Sequence, residues 1–129
     1  MTPVKRAAIA IAFAGIAAGL LSGCQPQAHM IVLTPRPDRI SGGEVSVIDI
    51  QVLRYEERFD KYVPVKDANV YLRVKEGGPY GTIVRHQVKT DAFGCTQTLF
   101  IGHHPMPGTA VIEARDDYGS VSEIGVEID

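Results

Sequence analysis

The sequence predicts an all-β protein, a single β-sandwich of about seven strands following an N-terminal leader. Three observations point there. Glycine and proline are frequent, 13 and 8 among 129 residues, and no long stretch repeats apolar residues at helical spacing. Apolar residues alternate with polar ones in several places: Val70, Leu72 and Val74 with Tyr71, Arg73 and Lys75, and Ala110, Ile112 and Ala114 with Val111, Glu113 and Arg115. A period of two places one set on a core and the other in water. Turn-forming clusters separate these stretches.

Taking the elements in order, the chain opens Met1-Thr2-Pro3-Val4-Lys5-Arg6, then runs uncharged and apolar from Ala7 to Leu21. As a helix that run would reach about 22 Å at ~1.5 Å per residue, short of a ~30 Å bilayer core. Basic, apolar and then small residues is the order of a secretory signal peptide. Leu21-Ser22-Gly23-Cys24 resembles the lipobox of bacterial lipoproteins at all four positions. The resemblance implies removal of residues 1–23, a thioether-linked diacylglycerol on Cys24 and an acylated new N-terminus. The membrane is then a partner through the lipid on Cys24, since two or more acyl chains hold firmly where one holds marginally. Gln25 follows Cys24 where Asp would favour inner-membrane retention, so in a Gram-negative cell the resemblance favours the outer membrane. The alternative is an ordinary secreted protein with a cysteine near its cleavage site.

Residues 24–29 read as the lipidated cysteine and a short tether, and 30–129 as the domain. Met30 to Thr34 forms a first strand, which "PRPDRISGG" breaks. Glu44 to Tyr55 is a long extended run with a conflict inside it. Val45 and Val47 share one parity, and Ile48, Ile50 and Val52 the other, so a bulge is expected near Val47 and Ile48. Arg54 to Lys66 is a charged connection. Strands follow at Ala68–Lys75, Ile83–Thr90, Cys95–Ile101, Gly108–Asp116 and Ser120–Ile128. The facing of Cys95–Ile101 is open: Thr96, Thr98 and Phe100 lie on one side, and Cys95, Gln97, Leu99 and Ile101 on the other.

Three stretches carry a second resemblance: "PVKDANVYLRV", "VKTDAFGCTQTLF" and "MPGTAVIEA". In this order they are similar to the bacterial immunoglobulin-like domains of the invasin and intimin type, and to carboxypeptidase regulatory-like modules. The resemblance implies an immunoglobulin-like sandwich from about Met30 to Asp129 and a scaffold or docking role. In the second stretch Asp91 accepts backbone donors across a tight turn, and Gly94 takes a positive φ.

Composition narrows the function. With a net charge of −2 and no long charge run, nothing argues for a nucleic-acid partner or a basic membrane-binding face. With Cys24 lipidated, Cys95 has no partner in the chain, so the core must hold without a disulfide. The best metal candidate is "GHHPMPG", where His103, His104 and Met106 could bind copper, with His29-Met30 joining if the first strand ends nearby. Adjacent histidines in extended chain point apart, and a hairpin loop explains the same residues. Asp116 and Asp117 read as a hairpin turn, because calcium needs six or more oxygens. Cys95 has no indicated activating base, and no serine-histidine-acid set is recognisable. The sequence thus implies no enzyme, no cofactor and no small-molecule substrate. It points to a lipid-anchored interaction or structural module of the envelope whose exposed edge strands dock a protein. The alternatives are a periplasmic copper-binding protein and an accessory lipoprotein of a secretion or conjugation apparatus.

Overall fold

The computed structural model describes residues 28–103 and 107–129. The leader, Cys24, Gln25, His104 and Met106 lie outside them. Ten strands follow in chain order: β1 (His29–Arg36), β2 (Arg39–Ile40), β3 (Val45–Glu56), β4 (Lys61–Pro64), β5 (Asn69–Glu76), β6 (Gly81–Ile83), β7 (Gln87–Lys89), β8 (Cys95–Gly102), β9 (Gly108–Asp116) and β10 (Val121–Ile128). They form two five-stranded sheets. The first runs β1-β3-β8-β6, with β4 also on β3; the second runs β2-β10-β9-β5-β7.

The core lies between the sheets and follows the alternation. Ile31, Ile48, Ile50, Val52 and Phe100 enter from the first sheet; Val70, Leu72, Ala110, Ile112, Ala114, Val126 and Ile128 enter from the second. Strand β8 faces Thr98 and Phe100 inward and leaves Cys95, Gln97, Leu99 and Ile101 outside. Two buried threonines have backbone work. Thr98 Oγ1 accepts from Arg85 N–H at 3.2 Å and donates to Arg85 O at 2.9 Å. Thr90 Oγ1 accepts from Ala68 N–H and donates to Val65 O. Each hydroxyl satisfies main chain that leaves a sheet, which a buried polar side chain must do to avoid a desolvation cost.

All the expected strand regions are present, and the count rises to ten for physical reasons. The Ile83–Thr90 region is two strands. β6 pairs with β8 in one sheet and β7 with β5 in the other. The chain crosses between them at Val84–His86, held by Thr98 and by Leu72 N–H donating to His86 O. Within the charged connection, β4 folds back on β3 beyond the end of β8, after a 3-10 turn at Glu57–Phe59. The pair Arg39–Ile40 adds itself parallel to β10.

The bulge expected at Val47 and Ile48 is not formed. β3 keeps an unbroken register with β8 from Val45 to Gln51, and with β1 from Val47 to Arg54. Ser46 takes the core parity instead, and its hydroxyl donates to Pro37 O at 2.6 Å. Val45 and Val47 therefore point outward. A register shift occurs elsewhere, between Val74 and Glu76 opposite β9.

Glu113, expected on a wet face, is buried. Arg73 and Arg115 both donate to its Oε1, at 2.8 and 3.0 Å. The two guanidinium groups cover the carboxylate and hold its pKa down at about 2.

Candidate docking surface

The outward-facing valines of β3 build the main surface feature. Val45 stands opposite Ile101, and Val47 opposite Leu99. Val84 lies alongside, its N–H donating to Leu99 O at 2.9 Å. Val45, Val84, Leu99 and Ile101 are exposed and Val47 is half-buried. Cross-strand aliphatic pairs of this kind stabilise a sheet modestly wherever they sit. On a solvated face they also leave a contiguous apolar patch, which a partner can cover. The parity conflict in the sequence was its signal: β3 is apolar on both faces over its first half.

The patch has a polar border. Arg36, opposite Val47 on β1, forms an ion pair with Asp49, and Asp49 stands between Thr34 and Gln97. Hydrogen bonding to Asp49 raises the Arg36 pKa further, so the guanidinium stays charged. A shallow groove runs on from there, lined by Val32, Thr34, Asp49, Gln51, Cys95 and Thr96.

Several of the edges expected to dock a strand are blunted, although β10 is paired by β2 only at Glu127 and Ile128. β2, β6 and β7 are two or three residues long, the usual way of blunting an edge. β1 is a long edge and carries Pro35, which has no N–H to give.

The remaining candidates resolve individually. His103 Nδ1 lies 3.0 Å from Pro79 O and Nε2 2.6 Å from Thr82 Oγ1. A carbonyl only accepts, so Nδ1 carries the proton, and in the neutral ring Nε2 accepts from the Thr82 hydroxyl. A metal at Nε2 would have to displace that bond. His29 does not join His103: β1 starts opposite Arg54, whereas β8 ends opposite Val45, so the two histidines sit at opposite poles. Among the described residues, no group of three or more His, Cys, Asp or Glu side chains gathers as a metal site.

Cys95 Sγ lies 3.5 Å from Phe93 O, to which it donates. Desolvation raises its pKa, with the Asp91 and Asp49 carboxylates adding to the effect. That is the opposite of nucleophile activation. Asp91 and Gly94 form the expected turn, with Gly94 at φ +74° and Asp91 Oδ1 accepting from Phe93 and Cys95 N–H. Asp116 repeats it, accepting from Tyr118 and Ser120 N–H.

No protein-family model matches the chain, and no curated protein matches it in sequence. Solved structures do match. The D00–D0 domain of intimin superposes with a TM-score of 0.65 at 13% identity, over 93% of this chain and 52% of that one. The adhesin InvE of Yersinia pseudotuberculosis gives 0.65 at 12% identity, over 82% and 33%. A conjugative transposon lipoprotein from Bacteroides eggerthii gives 0.52 at 8% identity, over 81% of this chain and 99% of that one. The chain spans about half of the intimin fragment it matches. At these identities the likeness is one of fold: the chain is an immunoglobulin-like β-sandwich, similar to domains of bacterial adhesins. Among the described residues no helix is long and apolar enough to cross a membrane.

Proposed function

We propose that this protein is a lipid-anchored, non-enzymatic module of the bacterial envelope that docks a protein partner on the outer face of its first sheet. The observation that carries the reading is the aliphatic patch of Val45, Val47, Val84, Leu99 and Ile101. Five aliphatic side chains on a regular, solvated sheet have no role in the core. The lipobox Leu21-Ser22-Gly23-Cys24 supplies the anchor, and Gln25 directs it to the outer membrane. The patch lies away from the tethered pole. Residues 24–28 span about 14 Å when extended. The patch lies at the level of Arg36, about 23 Å along β1 from His29. We take the occupant to be a protein that meets the domain from the side. The immunoglobulin-like fold is a scaffold and specifies no chemistry.

The test is site-specific photocrosslinking in the intact envelope. A photoreactive side chain at Leu99 should give one discrete adduct, abolished by Val47→Lys. The same group at Glu127, on the outer face of the second sheet, should give none. Equal labelling at both positions, or no adduct at Leu99, would refute the docking face. Palmitate incorporation that persists in Cys24→Ala would refute the anchor.

A second reading, an accessory part of a conjugation or secretion apparatus, is supported by the likeness to the conjugative transposon lipoprotein, which extends over 99% of that chain. It makes the partner a component of that apparatus and leaves the docking face unchanged.

A further inference from the structure

We propose a second contact site at the opposite pole, where Phe59, Phe93 and Tyr118 insert into the interface of the phospholipid bilayer that holds the anchor. The inference rests on the anchoring reading and adds a site to it. These aromatic side chains are 63%, 74% and 53% exposed. They come from three separate loops: the β3–β4 turn, the Asp91 turn before β8 and the β9–β10 hairpin.

The topology brings all three to the end where the described chain begins. The rings of His29 and Tyr118 stack at 3.9 Å. Tyr55 N–H donates to Ala28 O, which sets the β3–β4 turn beside the chain entry. Arg54 is the partner of His29, so β3 runs two residues past the start of β1 to Glu56 before the turn at Phe59. Two residues of strand add about 7 Å, so Phe59 projects toward the anchor. Val52 N–H donates to Gly94 O, and Val52 stands opposite Ile31, which puts the Phe93 turn at the same pole. The tether then decides the occupant. With a reach of about 14 Å from Cys24 to Ala28, this is the pole held nearest the lipid, within contact of the headgroup layer. A phenol favours that layer, its body apolar and its hydroxyl wet, and phenyl rings bury at the headgroup and acyl boundary.

Acids outnumber bases at this pole, so charge does not draw it to an anionic lipid surface. Arg58 and Lys61 lie over the Phe59 ring at 5.6 and 5.8 Å, and their heads can reach phosphates as the ring enters. Four of the acids are held within the domain. Asp60 bonds the Tyr55 hydroxyl, Asp117 bonds Asn69, and Asp91 and Asp116 bond backbone N–H groups. Glu57 and Asp67 stay in solvent with Arg58, Lys61 and Lys66. Binding at this pole is driven by the rings, so salt should not disrupt it.

The chain contains no tryptophan, so single-tryptophan variants report without background. Full-length Phe59→Trp, Phe93→Trp, Tyr118→Trp and the far-pole control Val84→Trp are expressed with the lipid and reconstituted in phosphatidylcholine vesicles. A fraction of the lipid is brominated near the head of the acyl chains. Flotation and the mass of the Cys24 adduct report the anchor separately. The first three variants should show blue-shifted emission quenched by the brominated lipid, unchanged in 0.5 M salt, and Val84→Trp should show neither. Intact anchoring with no more quenching at the three loops than at Val84→Trp overturns this site and leaves the anchor standing. A chain that carries no diacylglycerol on Cys24 overturns both.

Discussion

The Asp91 carboxylate accepts the N–H groups of Phe93 and Cys95, and the Asp116 carboxylate accepts those of Tyr118 and Ser120, so one turn is built twice at the same pole. Each copy closes with a glycine at positive φ, Gly94 at 74° and Gly119 at 91°. Each also presents an aromatic ring between its acid and its glycine. Replacing either aspartate by alanine strands two backbone donors. Asp91→Ala and Asp116→Ala should each lose about 1–3 kcal/mol of stability, and the asparagine variants less, because the side-chain carbonyl still accepts. Urea unfolding midpoints measure both.

The two glycines separate conformational strain from steric collision. A Cβ at Gly94 would sit 2.7 Å from Val52 O and 2.9 Å from Pro64 Cβ, while one at Gly119 meets open space. Gly119→Ala should cost about 1–2 kcal/mol, the strain of a left-handed residue alone. Gly94→Val should cost more than 3 kcal/mol, since strain and overpacking combine. Equal midpoint shifts for the two variants would contradict this.

Glu113 makes stability depend on acid. Its pKa is about 2 in the fold against 4.5 in the free side chain, because Arg73 and Arg115 hydrogen-bond the ionised form. A depressed pKa contributes stability that is fully present above 4.5 and lost as the pH falls toward 2. Glu113→Gln should be less stable than the parent at pH 7, and the two unfolding curves should converge as the pH approaches 2. A constant gap across that window would place the shift elsewhere.

The Cys95 thiol should alkylate slowly. Desolvation and the nearby Asp91 and Asp49 carboxylates raise its pKa, and rate follows the thiolate fraction. In a Cys24→Ala chain at pH 7.5, iodoacetamide should label Cys95 more slowly than glutathione. Asp91→Asn should speed it only modestly, since desolvation is the larger cause. Labelling faster than glutathione would reveal an activating group.

The sheets were legible where one face is apolar and the other polar, as at Val70, Leu72 and Val74 or Ala110, Ile112 and Ala114. Ser46 was not, because its burial depends on Pro37 O, which sequence adjacency does not bring near it. The Ile83–Thr90 region hid a crossover because a period of two gives the facing of a residue and not the sheet it joins. Glu113 looked wet because its covering arginines are supplied partly across the sheet, by Arg73 on β5. The exposed aliphatic patch was visible only as a contradiction: Val45 and Val47 refused the parity of the core. Phe59 was hidden in the charged connection, where only the return of β4 onto β3 gives it a direction.

The pairing of β1 with β3 over eight opposed residues has a mechanical consequence. β1 leaves the pole where the described chain begins and runs lengthwise to the level of the aliphatic patch. Under the proposed anchoring and docking, a partner that pulls on Val45, Leu99 and Ile101 while lipid holds the N-terminus loads those rungs along the strand axis. All of them then share the tension at once, whereas a pull across the strands would open them one after another. The domain is strung in the direction in which a sheet resists force best.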